Sequence, residues 1–326
     1  MSVSPLSRPD VWNAVATGYT ADLVPLFAAY ARDALRLAAL PPGARVLDVA
    51  AGPGTLALLA AEHVSEVVAV DFAAEMIATL RRRVAEAGVG TVTAIEADGQ
   101  ALPFDAGRFD GVFSMFGLIF FPDPAAGLRE AHRVLVPGGR IAVSSWAPLG
   151  GIPLLSACFR AMKAHLPWLP FGDETAPFGD PESLIDALQG VGFEDVAVHT
   201  VEHRADAASV AAFWETNERS SAPLVLLRQQ LSAAEWEALG ASVVDQLRRE
   251  FGEGEVAMAW PARIAVGTIE VIVAAIGILI AGYGALFSTT SNFGLAGAAL
   301  GMAVLIVSIY AWSFEPVNDP VEQTAH

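Results

Sequence analysis

Short apolar runs alternate with longer amphipathic stretches along residues 45–146. The apolar runs have the length of buried strands, and the stretches between them have the period of helices. Strands are predicted at 45–49, 66–70, 91–96, 109–116 and 140–146. Helices are predicted at 55–61, 73–87 and 124–135, and the turn 137–139 comes before the fifth strand. This alternation predicts a parallel sheet with helices on both faces, which is the Rossmann-like α/β class.

Residues 147–255 are less regular and contain several prolines between aromatic residues. We interpret this region as a substrate cap, with helices at 181–190, 207–219 and 233–250 and a strand at 194–203. Its aromatic residues Trp168, Phe171 and Phe178 either line an apolar acceptor site or pack the cap onto the sheet. A last strand at 255–268 completes a mostly parallel, seven-stranded sheet, so residues 1–268 form the predicted domain.

The segment VLDVAAGPGT, residues 46–55, joins the first strand to a helix through a glycine turn. Gly52 and Gly54 let the backbone bend sharply and approach a ligand without an intervening side chain. This arrangement typically binds a nucleotide-like cofactor. Residues 52–57 also satisfy the looser GxGxxA pattern of dinucleotide-binding folds, so a nicotinamide cofactor remains an alternative.

Aspartates stand at or just after the ends of the first three predicted strands, namely Asp48, Asp71 and Asp98. In a parallel sheet these strand ends face one crevice. Asp71 follows Gly52 by about twenty residues, a spacing at which a carboxylate accepts hydrogen bonds from ribose hydroxyls. Each aspartate alone is also a candidate cap for the following helix. The three together favour a nucleoside site.

The chain resembles the class I S-adenosylmethionine-dependent methyltransferases, particularly the quinone-biosynthesis branch, over about residues 10–268. Four further segments carry the resemblance, in order: VVAVDFAAEM at 67–76, EADGQALPF at 96–104, FDGVFSMFGLIFFPD at 109–123 and LREAHRVLVPGGRIAVSSW at 128–146. Ala51 departs from relatives that often carry a cysteine there, and Pro53 stiffens the turn. The resemblance implies S-adenosylmethionine as the cofactor and leaves the methyl acceptor open.

The resemblance also assigns roles to individual residues. It implies contacts to the methionine part of the cofactor from Asp48, Ala50, Gly52 and Gly54. It implies a ribose contact from Asp71 and adenine contacts from Phe72, Met76, Asp98, Gly99 and Gln100. Near the transferred methyl group it places Ser114, Phe116 and Leu118. Tyr19 is similar to part of an N-terminal lid, or is an ordinary packed aromatic.

Composition and charge exclude several classes of binding partner and site. The formal net charge of −17 and a single lysine leave no cationic surface for nucleic acid. The one cysteine, Cys158, excludes internal disulfides, and no spacing suggests a metal site. Candidate general bases are His165, His199 and His203, although a structural or surface role is the better interpretation of each.

The C-terminal tail contains two apolar stretches, 271–287 and 293–314, joined by the polar residues 288–292. They raise the mean hydropathy to +0.47 and predict a transmembrane hairpin within residues 269–314, followed by an acidic tail at 315–326. The alternatives are a helical hairpin buried in a dimer and a fused segment without a catalytic role. Arginines before the hairpin and the absence of an apolar leader in residues 1–10 favour a catalytic domain in the cytoplasm.

These observations lead to one leading hypothesis. The chain is expected to transfer methyl groups from S-adenosylmethionine to a small, lipophilic or quinone-like acceptor at a membrane surface. A nicotinamide-dependent oxidoreductase and a non-catalytic, S-adenosylmethionine-binding membrane module are the alternatives. The sequence does not predict the oligomeric state.

Overall fold

A seven-stranded sheet with the order β3-β2-β1-β4-β5-β7-β6 forms the centre of the computed structural model. The model describes residues 4–148, 152–169 and 177–270. The strands are β1 Arg45–Val49, β2 Glu66–Asp71, β3 Val92–Glu96, β4 Phe109–Met115, β5 Leu135–Trp146, β6 Glu194–Ala207 and β7 Val256–Thr268. Strands β1 to β5 pair in parallel, whereas β7 is antiparallel to both β5 and β6. The predicted Rossmann-like, seven-stranded α/β fold is confirmed.

Helices cover both faces of this sheet and also build the cap. They are α1 Pro9–Asp22, α2 Val24–Ala38, α3 Thr55–Ala60, α4 Ala74–Ala87, α5 Pro124–Val134, α6 Pro153–His165, α7 Pro181–Gln189, α8 Val210–Ser220, α9 Ala222–Arg228 and α10 Ala233–Phe251. Two short 3-10 helices occur at Pro5–Ser7 and Leu118–Phe120. Helices α1, α2, α6 and α9 were not among the elements predicted from the sequence.

Alternation along the buried strands explains why both faces need helices. Leu47 and Val49 of β1 pack in one core with α5 and α7, while Val46, the residue before Leu47, packs in the opposite core with α2 and α3. Successive strand residues point to opposite faces, so a continuous apolar strand has to be covered twice. The carboxyl ends of β1, β2 and β4 therefore lie together at one edge of the sheet.

The cap has its own hydrophobic core, formed by α6, α8, α9 and α10. Buried residues such as Met162, Phe213 and Leu247 belong to it. The aromatic cluster predicted from the sequence does not act as a unit. Trp168 is 55% exposed, and Phe178 packs against the core of the main sheet. Phe171 lies outside the described residues.

The fifth strand differs most from its prediction. We expected a turn at residues 137–139, but β5 already begins at Leu135 and runs through them. The Gly138 amide donates to the Ile269 carbonyl at 3.0 Å, and the Ile269 amide donates to Gly139 at 3.0 Å. Pairing with the residue after β7 therefore includes this segment in β5. Gly138 nevertheless keeps a turn-like, left-handed backbone with a φ of 78°, and the register with β4 is irregular between Phe109 and Gly111.

The described residues belong to the compact unit Met1–Glu270. The predicted transmembrane hairpin and acidic tail lie outside the described residues, except for the first two positions of the 269–314 range. Within the described part of the chain, no helix combines the length and apolar character needed to cross a membrane.

Candidate cofactor site

The glycine turn after β1 forms the base of the site. Three of its residues adopt left-handed backbone angles: φ is 57° at Ala50, 53° at Gly52 and 78° at Gly54. A Cβ atom at position 54 would lie 2.0 Å from Cδ1 of Leu80, so only glycine fits between this turn and α4. The side chain of Arg83, also on α4, donates to the Pro53 carbonyl. Both contacts hold the turn against α4.

Asp71, the last residue of β2, connects the turn to the neighbouring strand. One carboxylate oxygen accepts from the Gly52 amide at 2.8 Å, and the other accepts from the Ala73 amide at 2.9 Å. Burial raises the pKa of Asp71 to about 6, although the hydrogen bonds from backbone amides oppose this rise. A carboxylate accepts about four hydrogen bonds, so each oxygen keeps capacity for a ligand hydroxyl.

Asp48, in contrast, is only 1% exposed. Its Oδ2 accepts from the Ala57 amide of α3 at 3.1 Å, and burial raises its pKa to about 8. Asp48 therefore accepts from the first turn of the following helix, which is the capping role that the sequence analysis gave as the alternative to a ligand contact. It also borders a small pocket at the glycine turn, together with Tyr19, Ala50 and Gly52.

The turn after β3 contributes a second polar edge. Oδ1 of Asp98 accepts from the Gln100 amide at 2.8 Å, while Oε1 of Gln100 accepts from the Asp123 amide at 2.9 Å. Gly99 is buried between Phe121 and Val49, where an added Cβ would come within 2.7 Å of each side chain. These contacts fix the backbone of the turn next to the crevice.

One cavity of about 1070 Å³ brings most of the predicted residues together. Its lining includes Tyr19, Ala50, Gly52, Asp71, Phe72, Met76, Asp98, Gly99 and Gln100. Ligand cavities are typically about 300–1,000 Å³, so this cavity is large enough for a cofactor and a second molecule. We call the part lined by these residues the cofactor end.

An aromatic wall borders the cofactor end, and we define it by Tyr19, Phe27, Phe116 and Trp146. Tyr19 stacks on Phe27 with centroids 5.4 Å apart, and Phe116 stacks on Trp146 at 4.2 Å. Phe27 joins the two pairs through edge contact with Phe116 at 5.1 Å. Phe116 has a φ of 57°, which is strained for a bulky residue and typical of functional sites. Phe27 and Trp146 were missed because their contacts join α2, β4 and β5.

Beyond the wall, the cavity continues into the cap. Side chains from α6, α8, α9 and β7 line this part: Leu155, Cys158, Phe159, Met162, Phe213, Leu224, Met258 and Trp260. We call it the acceptor chamber. Burial raises the pKa of the Cys158 thiol to about 12, so the neutral thiol contributes apolar surface here.

Four residues that the resemblance placed near the cofactor do not line the cavity, and Asp48, which borders only the small pocket, is the first of them. Gly54 lies on the side of the turn that packs against Leu80 of α4. Ser114 is 5% exposed, and its hydroxyl has no hydrogen-bond partner within the described structure. Leu118 belongs to the core shared with α5, because the 3-10 helix turns it inward. Ser114 and Leu118 therefore lie outside the cavity lining, and their proximity to the transferred methyl group stays a prediction.

The candidate histidine bases also lie elsewhere. His203 Nε2 is 2.7 Å from an Asp33 carboxylate oxygen, and His165 Nδ1 is 3.2 Å from the Ala161 carbonyl. His199 is exposed on β6. No histidine lines the cavity in the described part of the chain. Among residues 4–148, 152–169 and 177–270, no cluster of His, Cys, Asp and Glu is arranged to hold a metal ion.

The chain is similar to known methyltransferases. A family model described as a methyltransferase domain matches residues 46–139. Nocamycin O-methyltransferase of Saccharothrix syringae is 31% identical over 278 residues, covering 80% of this chain and 98% of that protein. Demethylmenaquinone methyltransferase of Thermus thermophilus is 43% identical over 184 residues, or 50% of this chain and 80% of that protein. The chain also matches uncharacterised mycobacterial proteins, of whose length it spans 48%.

The fold has solved counterparts as well. The YcgJ protein from Bacillus subtilis has a TM-score of 0.51 and 18% identity, covering 74% of this chain and 97% of that chain. At this identity the likeness shows the fold alone. Fold and site define a Rossmann-like, nucleotide-cofactor protein. The sequence matches go further: the chain belongs to the class I S-adenosylmethionine-dependent methyltransferases, and its cofactor is S-adenosylmethionine.

Proposed function

We propose that this protein transfers the methyl group of S-adenosylmethionine to an uncharged, lipophilic ring acceptor of the quinone type, at a membrane surface. One observation carries the proposal: a single cavity joins the cofactor end to the apolar acceptor chamber across the aromatic wall. A molecule in the chamber would lie beside the cofactor and against the apolar side chains of the cap.

Two relatives support the acceptor class. One is named for demethylmenaquinone and the other for nocamycin, and both names describe methyl transfer to small molecules. The acceptor chamber supports the same class independently, because thioether, aromatic and aliphatic side chains dominate its surface.

The site needs little acid–base chemistry. S-adenosylmethionine supplies a methyl group on a positively charged sulfur, whose leaving form is a neutral thioether. Asp71 and the turn at Gly52 bind and orient the nucleoside, and the aromatic wall provides an apolar surface between the cofactor end and the chamber. Good orientation is worth about 7–11 kcal/mol at its best, so positioning by these residues provides a large rate enhancement without a histidine base.

The membrane part of the proposal is supported by the sequence of the tail. Residues 271–287 and 293–314 are uninterrupted apolar stretches without charged side chains until Glu315. Truncation after Glu270 should release the protein from membrane pellets without loss of cofactor binding. The cut has to follow Ile269, since this residue pairs with Gly138 and Gly139 and packs on the sheet core. A truncated chain that still sediments with membranes would contradict the anchor.

Transfer of a labelled methyl group from S-adenosylmethionine to a bacterial lipid extract tests the activity. We expect label in a neutral, ring-containing lipid fraction, and about tenfold less label or lower when Asp71→Ala replaces the wild type at the same low cofactor concentration. Cofactor binding without transfer to any fraction would instead favour the non-catalytic module.

A further inference from the structure

Helix α8 presents one face to the cavity, and this face changes from apolar to polar along the helix. Phe213, Thr216, Asn217 and Ser220 all line the cavity. Their spacing of three, four and seven residues from Phe213 places them on the same side of the helix. The polar residues are the principal hydrogen-bonding groups that the cap offers next to the apolar surface of the acceptor chamber.

The hydrogen bonds on this face leave one strong acceptor free. The Ser220 hydroxyl donates to the Thr216 carbonyl at 2.6 Å. The Asn217 amide nitrogen donates to the Phe213 carbonyl at 2.8 Å, which fixes which end of the amide carries oxygen. No residue of the described structure donates to Oδ1 of Asn217. This oxygen is therefore available to a hydroxyl group of a bound molecule.

The charged side chains that line the cavity also limit which ligand charge it accepts. Its lining contains four aspartates, Asp22, Asp71, Asp98 and Asp206, and no Lys, Arg or His in the described part of the chain. Arg219, on α8, is held outside by Asp22, with nitrogen–oxygen distances of 2.6 and 3.0 Å. Residues 149–151 and 170–176 contain no basic side chain either. When the cofactor product S-adenosylhomocysteine, whose sulfur is neutral, occupies the cofactor end, an anionic ligand would lose its hydration without gaining a counter-charge from the described side chains of the lining.

We propose that Asn217 recognises the acceptor through a hydrogen bond from an acceptor hydroxyl to its Oδ1, and that the chamber rejects anionic acceptors. This inference rests on the proposed function and adds a specificity-determining residue to it. The acceptor class becomes an uncharged ring compound with a free hydroxyl group, its apolar part lying against Phe213 and the chamber.

Three naphthalenes that differ in one substituent test this directly: 1-naphthol, 1-methoxynaphthalene and 1-naphthoate. Calorimetric titrations use the full-length chain at neutral pH with saturating S-adenosylhomocysteine, so that only the chamber is open. We expect 1-naphthol to bind about fivefold or more tighter than 1-methoxynaphthalene, since the ether has no proton to donate. We expect 1-naphthoate to bind about tenfold or more weakly than 1-naphthol.

Variants on opposite faces of α8 provide the matched comparison. Asn217→Leu should equalise the affinities of 1-naphthol and 1-methoxynaphthalene without altering the affinity for S-adenosylhomocysteine. Glu215→Leu, on the exposed face, should retain the difference. Equal affinities in the wild type, a difference that survives Asn217→Leu, or tight binding of 1-naphthoate would each overturn the inference while the proposed function stands. Failure of the wild type to bind S-adenosylhomocysteine would overturn both.

Discussion

Removal of the Asp71 carboxylate is the sharpest perturbation of the cofactor end. In the structure its two oxygens accept hydrogen bonds from the backbone nitrogens of Gly52 and Ala73, with nitrogen–oxygen distances of 2.8 and 2.9 Å. The same oxygens are expected to accept from the ribose hydroxyls. A hydrogen bond to a charged group is worth about 1.5–3 kcal/mol, so Asp71→Ala should weaken cofactor binding by about tenfold to about 150-fold. Loss of the Gly52 contact also loosens the turn, which favours the upper half of this range.

Calorimetric titration of the full-length chain with S-adenosylhomocysteine measures this loss. Asp110→Ala is the matched control, because Asp110 binds Arg45 at the opposite end of the sheet. This control should keep wild-type affinity, and the circular dichroism of both variants should match the wild type. An Asp71→Ala affinity within twofold of the wild type would refute the assignment of Asp71 to the ribose.

Three further changes test other parts of the account. Gly54→Ala should lower the free energy of unfolding, measured in urea, by more than about 1 kcal/mol, because Gly54 has a φ of 78° and an added Cβ would collide with Leu80. Adding Leu80→Ala to this variant should restore part of the lost free energy. The folded-state pKa of Asp48, about 8, exceeds its ordinary value of 3.8, so its contribution to stability is present at low pH and lost as the pH rises toward about 8. Asp48→Asn should therefore flatten the fall of unfolding free energy between about pH 5 and about pH 8, and parallel curves would contradict the burial argument. Trp146→Leu removes the stacking on Phe116, which is worth about 0.5–1.5 kcal/mol. This variant should lower kcat by about twofold to tenfold and leave cofactor affinity unchanged. A loss of cofactor affinity alone would contradict the role of the aromatic wall in positioning the acceptor.

Local patterns predicted the sheet well. β1 has the predicted bounds, and β2, β3 and β4 differ by one residue at one end each. Most residues of these strands are apolar, and a turn follows each strand within a few residues, so neighbouring residues largely determine their limits. β5 was predicted five residues too short, because its first part depends on pairing with Ile269, which is remote in sequence.

The sequence predicted which residues line the cofactor end, since they follow strand ends in a fixed order, and their contacts with the cofactor stay a prediction. The aromatic wall was not predicted, because Phe27 and Trp146 come from separate elements that only the tertiary fold brings together. The left-handed backbone of Phe116 has no signal in the sequence. The histidines were candidates by chemistry alone, and the strand and helix that carry them direct them away from the cavity.

A crystal structure of the full-length chain with S-adenosylhomocysteine tests the central claim most directly. The account predicts both ribose hydroxyls within hydrogen-bond distance of Asp71, the adenine near Asp98, and the sulfur facing the wall of Phe116 and Trp146. A nucleoside bound elsewhere, or a sulfur facing away from the acceptor chamber, would contradict it.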